Sequence, residues 1–157
     1  MSRFSQPLTQ LIHENLSIVV TFAFSRGPLE ALRQTRFRGE WKYLDKALFV
    51  VAEQRADKAC VELATVIRLL DDDEDVSGYL REASSLRFGR VFKQDQPDEP
   101  LYLRDLTNKI IHAQRLEWDL ATVLDPRIIC ISRHPNRWLR AEIELVALAA
   151  FCGQLMG

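Results

Sequence analysis

Arg104, Asn108 and His112 stand at successive spacings of four in the stretch Arg104-Asp-Leu-Thr-Asn-Lys-Ile-Ile-His112-Ala. On a helix that spacing lines the three side chains along one strip. The chemistry such a strip can do is metal-free work on a phosphate. Cleaving RNA requires removing a proton from a 2′-OH, delivering one to a leaving oxygen and stabilising charge on phosphorus. An imidazole, titrating near neutral pH, can make either transfer. A guanidinium forks onto phosphate oxygens and stabilises the growing charge. An amide can orient the imidazole or the substrate. Arg104, Asn108 and His112 are therefore the candidate catalytic residues, with Lys109 and Arg115 as candidate substrate-binding cations. The same residues also have a purely structural use. Asn108 and His112 can hydrogen-bond the hairpin that follows, or the 94–100 loop, and pin two parts of the domain together.

The elements that must hold this strip follow from periodicity. Leu103, Leu106, Ile110 and Ala113 set the core face of a helix over 101–113. Upstream, Leu8, Leu11, Ile12, Leu16, Val19, Val20 and Ala23 recur at helical spacing after Pro7, and Gly27-Pro28 predicts the end of that helix. A short helix over about 29–35 is expected next, in a connection made basic by Arg26, Arg33, Arg36, Arg38 and Lys42. From Glu40, the residues Trp41, Leu44, Leu48, Val51, Ala52, Ala56, Ala59, Leu63, Val66 and Leu70 predict one long amphipathic helix. At 1.5 Å per residue it would run roughly 45 Å, the length of a bundle spine or a dimer seam. Asp71-Asp-Asp-Glu-Asp75 predicts its exit as a solvated turn, because carboxylates are disfavoured at a helix C-terminus. A short helix over about 77–86, an extended segment over 87–93 and a loop over 94–100 follow. Beyond the strip, Leu116, Trp118 and Leu120 alternate, Asp125-Pro126 makes a turn and Ile128 to Ile131 is an apolar run, which together predict a hairpin. Its expected core contacts are Leu116, Trp118 and Leu120 against Ile129 and Ile131. Residues 138–143 add a third strand after the turn His134-Pro-Asn136, and 145–155 close the chain as a helix.

The chain of 157 residues with a formal net charge of −1 is large enough for one domain with a real core and is not basic overall, so RNA would be met by a local patch. Cys60, Cys130 and Cys152 are odd in number, far apart and set among apolar residues, which predicts buried reduced thiols rather than a disulfide or zinc site. That favours a reducing compartment, and the N-terminus reads as one without a secretory leader. The apolar run over 16–24 is interrupted and too short for a bilayer, so no membrane partner is expected and the chain reads as cytoplasmic. His13 lies near the apolar face of the first helix and is expected to be structural, whereas His134 is expected to be exposed. The three histidines lack ligand spacing, and no glycine-rich phosphate loop or nucleophile signature occurs, so neither metal nor cofactor is expected. Arg33 to Arg38 and Arg87 to Lys93 interleave arginine with phenylalanine, a composition suited either to RNA or to a solvated edge.

Asn108-Lys-Ile-Ile-His112-Ala, late in a helical chain and preceded by an arginine, resembles the motif of HEPN domains. The resemblance implies a compact helical bundle, a homodimer in which the arginine and histidine of two protomers meet, and metal-independent ribonuclease activity of toxin or defence type. It covers this motif and the long-helix arrangement, not the β-rich last third, and Arg104 lies one turn further from His112 than the family spacing.

The expected architecture is α+β, mainly α, in a single domain over 1–157. An N-terminal helical bundle (1–113) with one long helix precedes a small antiparallel meander and a closing helix (114–157). The expected functions are a HEPN-like RNA-cleaving protein or a non-catalytic helical interaction module acting on a protein partner, such as a regulatory or immunity partner. A small-molecule site between bundle and sheet has no motif behind it.

Overall fold

A computed structural model describes residues 6–37, 39–74 and 86–156. The short helix expected over 77–86 falls outside these described residues but for Leu86, and Arg38 also lies outside them. The fold is α+β and mainly helical. Helix α1 (Gln6–Thr35) and helix α2 (Ala52–Glu74) pack along one another. Strands β1 (Gly89–Phe92) and β2 (Glu99–Leu101) follow, then helix α3 (Leu103–Ile111). Strands β3 (Ala113–Asp119), β4 (Arg127–Ser132) and β5 (Arg140–Glu144) lead into helix α4 (Leu145–Met156).

Helix α1 does not stop at Gly27-Pro28 but passes through both. Pro28 removes one N–H and leaves the Phe24 carbonyl without its helical donor. Gly27, Pro28 and Phe24 all lie on the exposed side, where water can take that carbonyl in place of the lost donor. His13 is likewise exposed rather than set into the core.

The helix expected from Glu40 opens as a 3-10 turn (Gly39–Tyr43) and continues through a π-helical segment (Lys46–Val51) into α2. Bonding to the fifth residue instead of the fourth turns the following side chains out of the α pattern. Phe49 is thereby buried while Val50 and Val51 face outward, so Val51 is not part of the apolar stripe as its spacing suggested. Phe49 docks on α1, with the guanidinium carbons of Arg26 and Arg33 at 4.7 and 4.3 Å from its ring centre. Arg33 is also held by Glu30 and Asp45. Of the other stripe residues, Ala56, Ala59, Leu63, Val66 and Leu70 are buried, as are Cys60, Ala64 and Ile67 beside them, whereas Leu44, Leu48 and Ala52 are only partly buried. Helix α1 and the helix over Leu103–Ile111 both pack on α2.

The sheet is fully antiparallel in the order β2-β1-β5-β4-β3. Two of its five strands come from before α3, so helical and β parts do not separate at residue 113. Strand β2 also turns the end of the expected 94–100 loop into an edge strand. Helix α3 joins the two edges, from β2 to β3, over the face that carries the core. Val91, Ala141, Ile143, Ile128 and Cys130 point to that face and join one buried cluster with residues of all four helices. In β3 and β4 the register is Leu116↔Cys130 and Trp118↔Ile128. The inward residues of β4 are therefore Ile128 and Cys130, not Ile129 and Ile131, which pair with Glu117 and Arg115 on the outer face. A one-residue change of parity moves a whole strand to the other face.

Trp118 ties the sheet to the helices. Its indole N–H donates to Asp57 Oδ1 at 2.7 Å, and its ring meets Phe22 edge-on with centroids 5.0 Å apart. Burial pushes the Asp57 carboxyl above the usual aspartate range, and the indole hydrogen bond opposes this only in part. A carboxyl raised by folding favours the native state most at acid pH, and that contribution is lost as pH rises through its folded value. Asp57→Asn keeps an acceptor for the indole and removes the buried charge. We expect it to raise the Tm at pH 7 and leave it unchanged near pH 3; equal effects at both pH values would mean that Asp57 is effectively solvated.

Candidate functional site

Helix α3 starts after Tyr102 in extended backbone, with no side-chain cap, and places Asp105 in its first turn and Lys109 in its last, both favourable to the helix dipole. Leu103, Leu106, Thr107 and Ile110 are buried, as the spacing of the leucines and isoleucine predicts. The helix ends at Ile111, so Ala113 belongs to β3 rather than to the helical core face, and His112 is the C-cap residue.

The structure divides the strip. Arg104 Nη1 lies 3.1 Å from Asp71 Oδ2 and 2.6 Å from Asp72 Oδ1, on the last turn of α2. Hydrogen bonding to Asp72 and Asp71 raises the guanidinium pKa, and the Arg104 hydrogen bond holds the Asp72 carboxyl below its usual range. Asn108 Oδ1 accepts a hydrogen bond from Arg68 of α2, whose Nε is 3.6 Å from Asp72 Oδ1. Asn108 thus pins α3 to α2 and not to the hairpin or the 94–100 loop. His112 stands apart. Eight residues separate it from Arg104, about 12 Å of helix rise, and it makes no contact with the Arg68, Asp71 and Asp72 group that holds Arg104 and Asn108. Its imidazole is exposed, without a hydrogen bond to a described residue.

The acidic run is therefore not a solvated turn. Asp71 to Glu74 complete α2, and Asp71 is buried. Carboxylates at a helix C-terminus are unfavourable alone; here Arg68 and Arg104 supply the opposing charge. A phosphate approaching Arg104 would meet two carboxylates already in place. Local sequence gave no sign of this pairing, since Arg104 is more than thirty residues from its partners and charge alone does not choose among the basic residues.

The remaining candidates also have partners. Lys109 Nζ sits 4.6 Å from the centre of the Trp138 ring, and Arg115 pairs with Glu117 at 2.9 Å on the outer face of the sheet. Pairing of Ala113 with Ser132 brings His112 and Arg133 to the same end of the β3–β4 pair, at the start of the exposed loop that carries His134 and Arg137. In the Arg87 to Lys93 segment, Arg90 pairs with Asp98, Lys93 with Glu99, and Phe88 is buried against Phe151, the arrangement of an edge over a core. Comparisons with protein families, with curated proteins and with solved structures find no match to this chain.

An apolar groove of about 310 Å³ lies between α1 and the π-helical segment and is lined by residues such as Phe22, Leu48 and Arg55, away from the strip. Among the described residues no group of three or more His, Cys, Asp or Glu is placed to hold a metal ion. All three cysteines are free and buried. Burial pushes the Cys60 thiol well up and those of Cys130 and Cys152 up to about 12, so none presents a thiolate near neutral pH. No helix among the described residues is long and apolar enough to cross a membrane.

Proposed function

We propose that this chain is a non-catalytic interaction module, acting on a protein partner in a regulatory or immunity role. One observation carries the reading: Arg104 and Asn108 are engaged by Asp71, Asp72 and Arg68, so two of the three strip residues hold α3 on α2. Buried, free thiols support placing the module in a reducing compartment such as the cytoplasm. The competing reading, a HEPN-like metal-independent ribonuclease, keeps one point in its favour. Strand register brings the exposed His112 and the exposed Arg133 to the same end of the β3–β4 pair.

A paired experiment separates the two. Arg104→Gln should lower the Tm at pH 7, because it leaves Asp71 and Asp72 at a helix C-terminus without their main counter-charge. Since Asp72 is held below its ordinary value of about 3.9, that loss should be full above this pH and fade as pH falls through the lowered folded value. His112→Ala should leave the Tm unchanged. Neither wild type nor variant should cleave labelled single-stranded RNA. Cleavage by wild type in EDTA, abolished in His112→Ala, would overturn the module reading and establish the nuclease.

A further inference from the structure

The two edges of the sheet are unequal. Strand β2 has three residues, and its central Pro100 has no N–H to offer a neighbour. Such an edge is closed to further pairing. Strand β3 has seven residues, bonds to β4 on one side, and has no described strand on the other. A bulge between Ala113 and Arg115 disturbs only its first residues. Its outer-face side chains Arg115 and Glu117 are 57% and 50% exposed, so the face beside this edge meets solvent. We infer that β3 is a homodimerisation edge, on which a second copy of this chain adds its own β3 antiparallel and extends the sheet across a two-fold axis.

The charges choose both the partner and the register. Directly opposed residues of an antiparallel pair share a face, so the two-fold axis of a self-pairing must pass through a residue. An axis at Arg115 opposes two arginines, and an axis at Glu117 opposes two glutamates although it also sets Arg115 against Asp119 twice. An axis at Trp118 sets Glu117 against Asp119 twice. An axis at Leu116 sets Arg115 against the partner's Glu117 twice, with leucine against leucine on the inner face and no like charges opposed. Opposite charges across strands stabilise and like charges destabilise. Leu116 is also the midpoint of Ala113–Asp119, so this register uses the full strand. The inference is independent of the module reading. It also differs from a shared nuclease site: each His112 is four residues from the axis, which puts the two about 26 Å apart along the paired strands.

Sedimentation equilibrium from micromolar to millimolar protein tests it. Wild type should pass from monomer to dimer. Arg115→Glu and Glu117→Arg should each weaken dimerisation by at least about tenfold, since two attractive pairs become repulsive. The double variant Arg115→Glu/Glu117→Arg should restore the dimer to within about threefold of wild type. Backbone amides of 115–119 should exchange more slowly in concentrated than in dilute wild type, a measurement independent of any variant. A monomer at every concentration overturns the inference. So does a dimer that ignores both single reversals, since it would use another face, and so does a double variant that stays monomeric.

Discussion

Replacing Gly89 with alanine should cost about 2–5 kcal/mol, a large share of the roughly 5–15 kcal/mol that stabilises a domain of this kind. Two causes add. Gly89 has φ +150°, backbone that L side chains rarely adopt, and a Cβ there would sit 1.8 Å from the Glu142 carbonyl oxygen. That oxygen belongs to the β5 backbone and cannot step aside without opening the β1–β5 pairing, which joins Gly89 to Ile143. Gly153, in α4 with nothing within 4 Å of a built Cβ, is the control. Alanine there should be neutral or stabilise by about 0.5–1 kcal/mol, because glycine is the poorer helix former. Urea melts of the two variants give the comparison. A Gly89→Ala loss no greater than 0.5 kcal/mol would mean that β1 sits further from β5 than described.

The second large effect belongs to Trp118. Trp118→Ala should cost about 3–5 kcal/mol, the usual range for emptying a large aromatic site. Part of that is the edge-on contact with Phe22, and part is the half-buried Asp57 carboxylate left without its indole donor, worth about 1–3 kcal/mol. Trp118→Phe should recover the packing and not the hydrogen bond, and so fall between wild type and alanine. Denaturant melts that place both variants within 1 kcal/mol of wild type would mean that Trp118 anchors nothing.

The helices and strands were legible where polar and apolar residues alternate clearly. Helix α2, the core face of α3 and the hairpin after it can all be read from side-chain period alone. The inward face of β4 could not, because Ile128-Ile-Cys-Ile131 is apolar at every position and has no parity to read; only its pairing with Leu116 and Trp118 sets it. Pro28 misled for a different reason. A proline stops a helix when its lost hydrogen bond is buried, and the sequence did not say that this side of α1 faces water. The spacing of Arg104, Asn108 and His112 was correct as geometry and silent about what lies opposite. Arg104 and Asn108 meet Arg68, Asp71 and Asp72, residues brought near by the packing of α3 on α2 and by no local signal, and His112 meets none of them.

The strand order also bears on how the chain is made. Among the described residues, β5 lies between β1 and β4, is made after the other four strands and joins the two halves of the sheet. Until it emerges, β1–β2 and β3–β4 are separate hairpins. About fifty residues divide β1 from the end of β5, which at roughly 5–20 residues per second is a wait of roughly 2.5–10 s. During that interval Val91 and Leu101 have no completed core to enter. Closure of the sheet thus waits on β5, and until then its outer hairpins stand or fall separately.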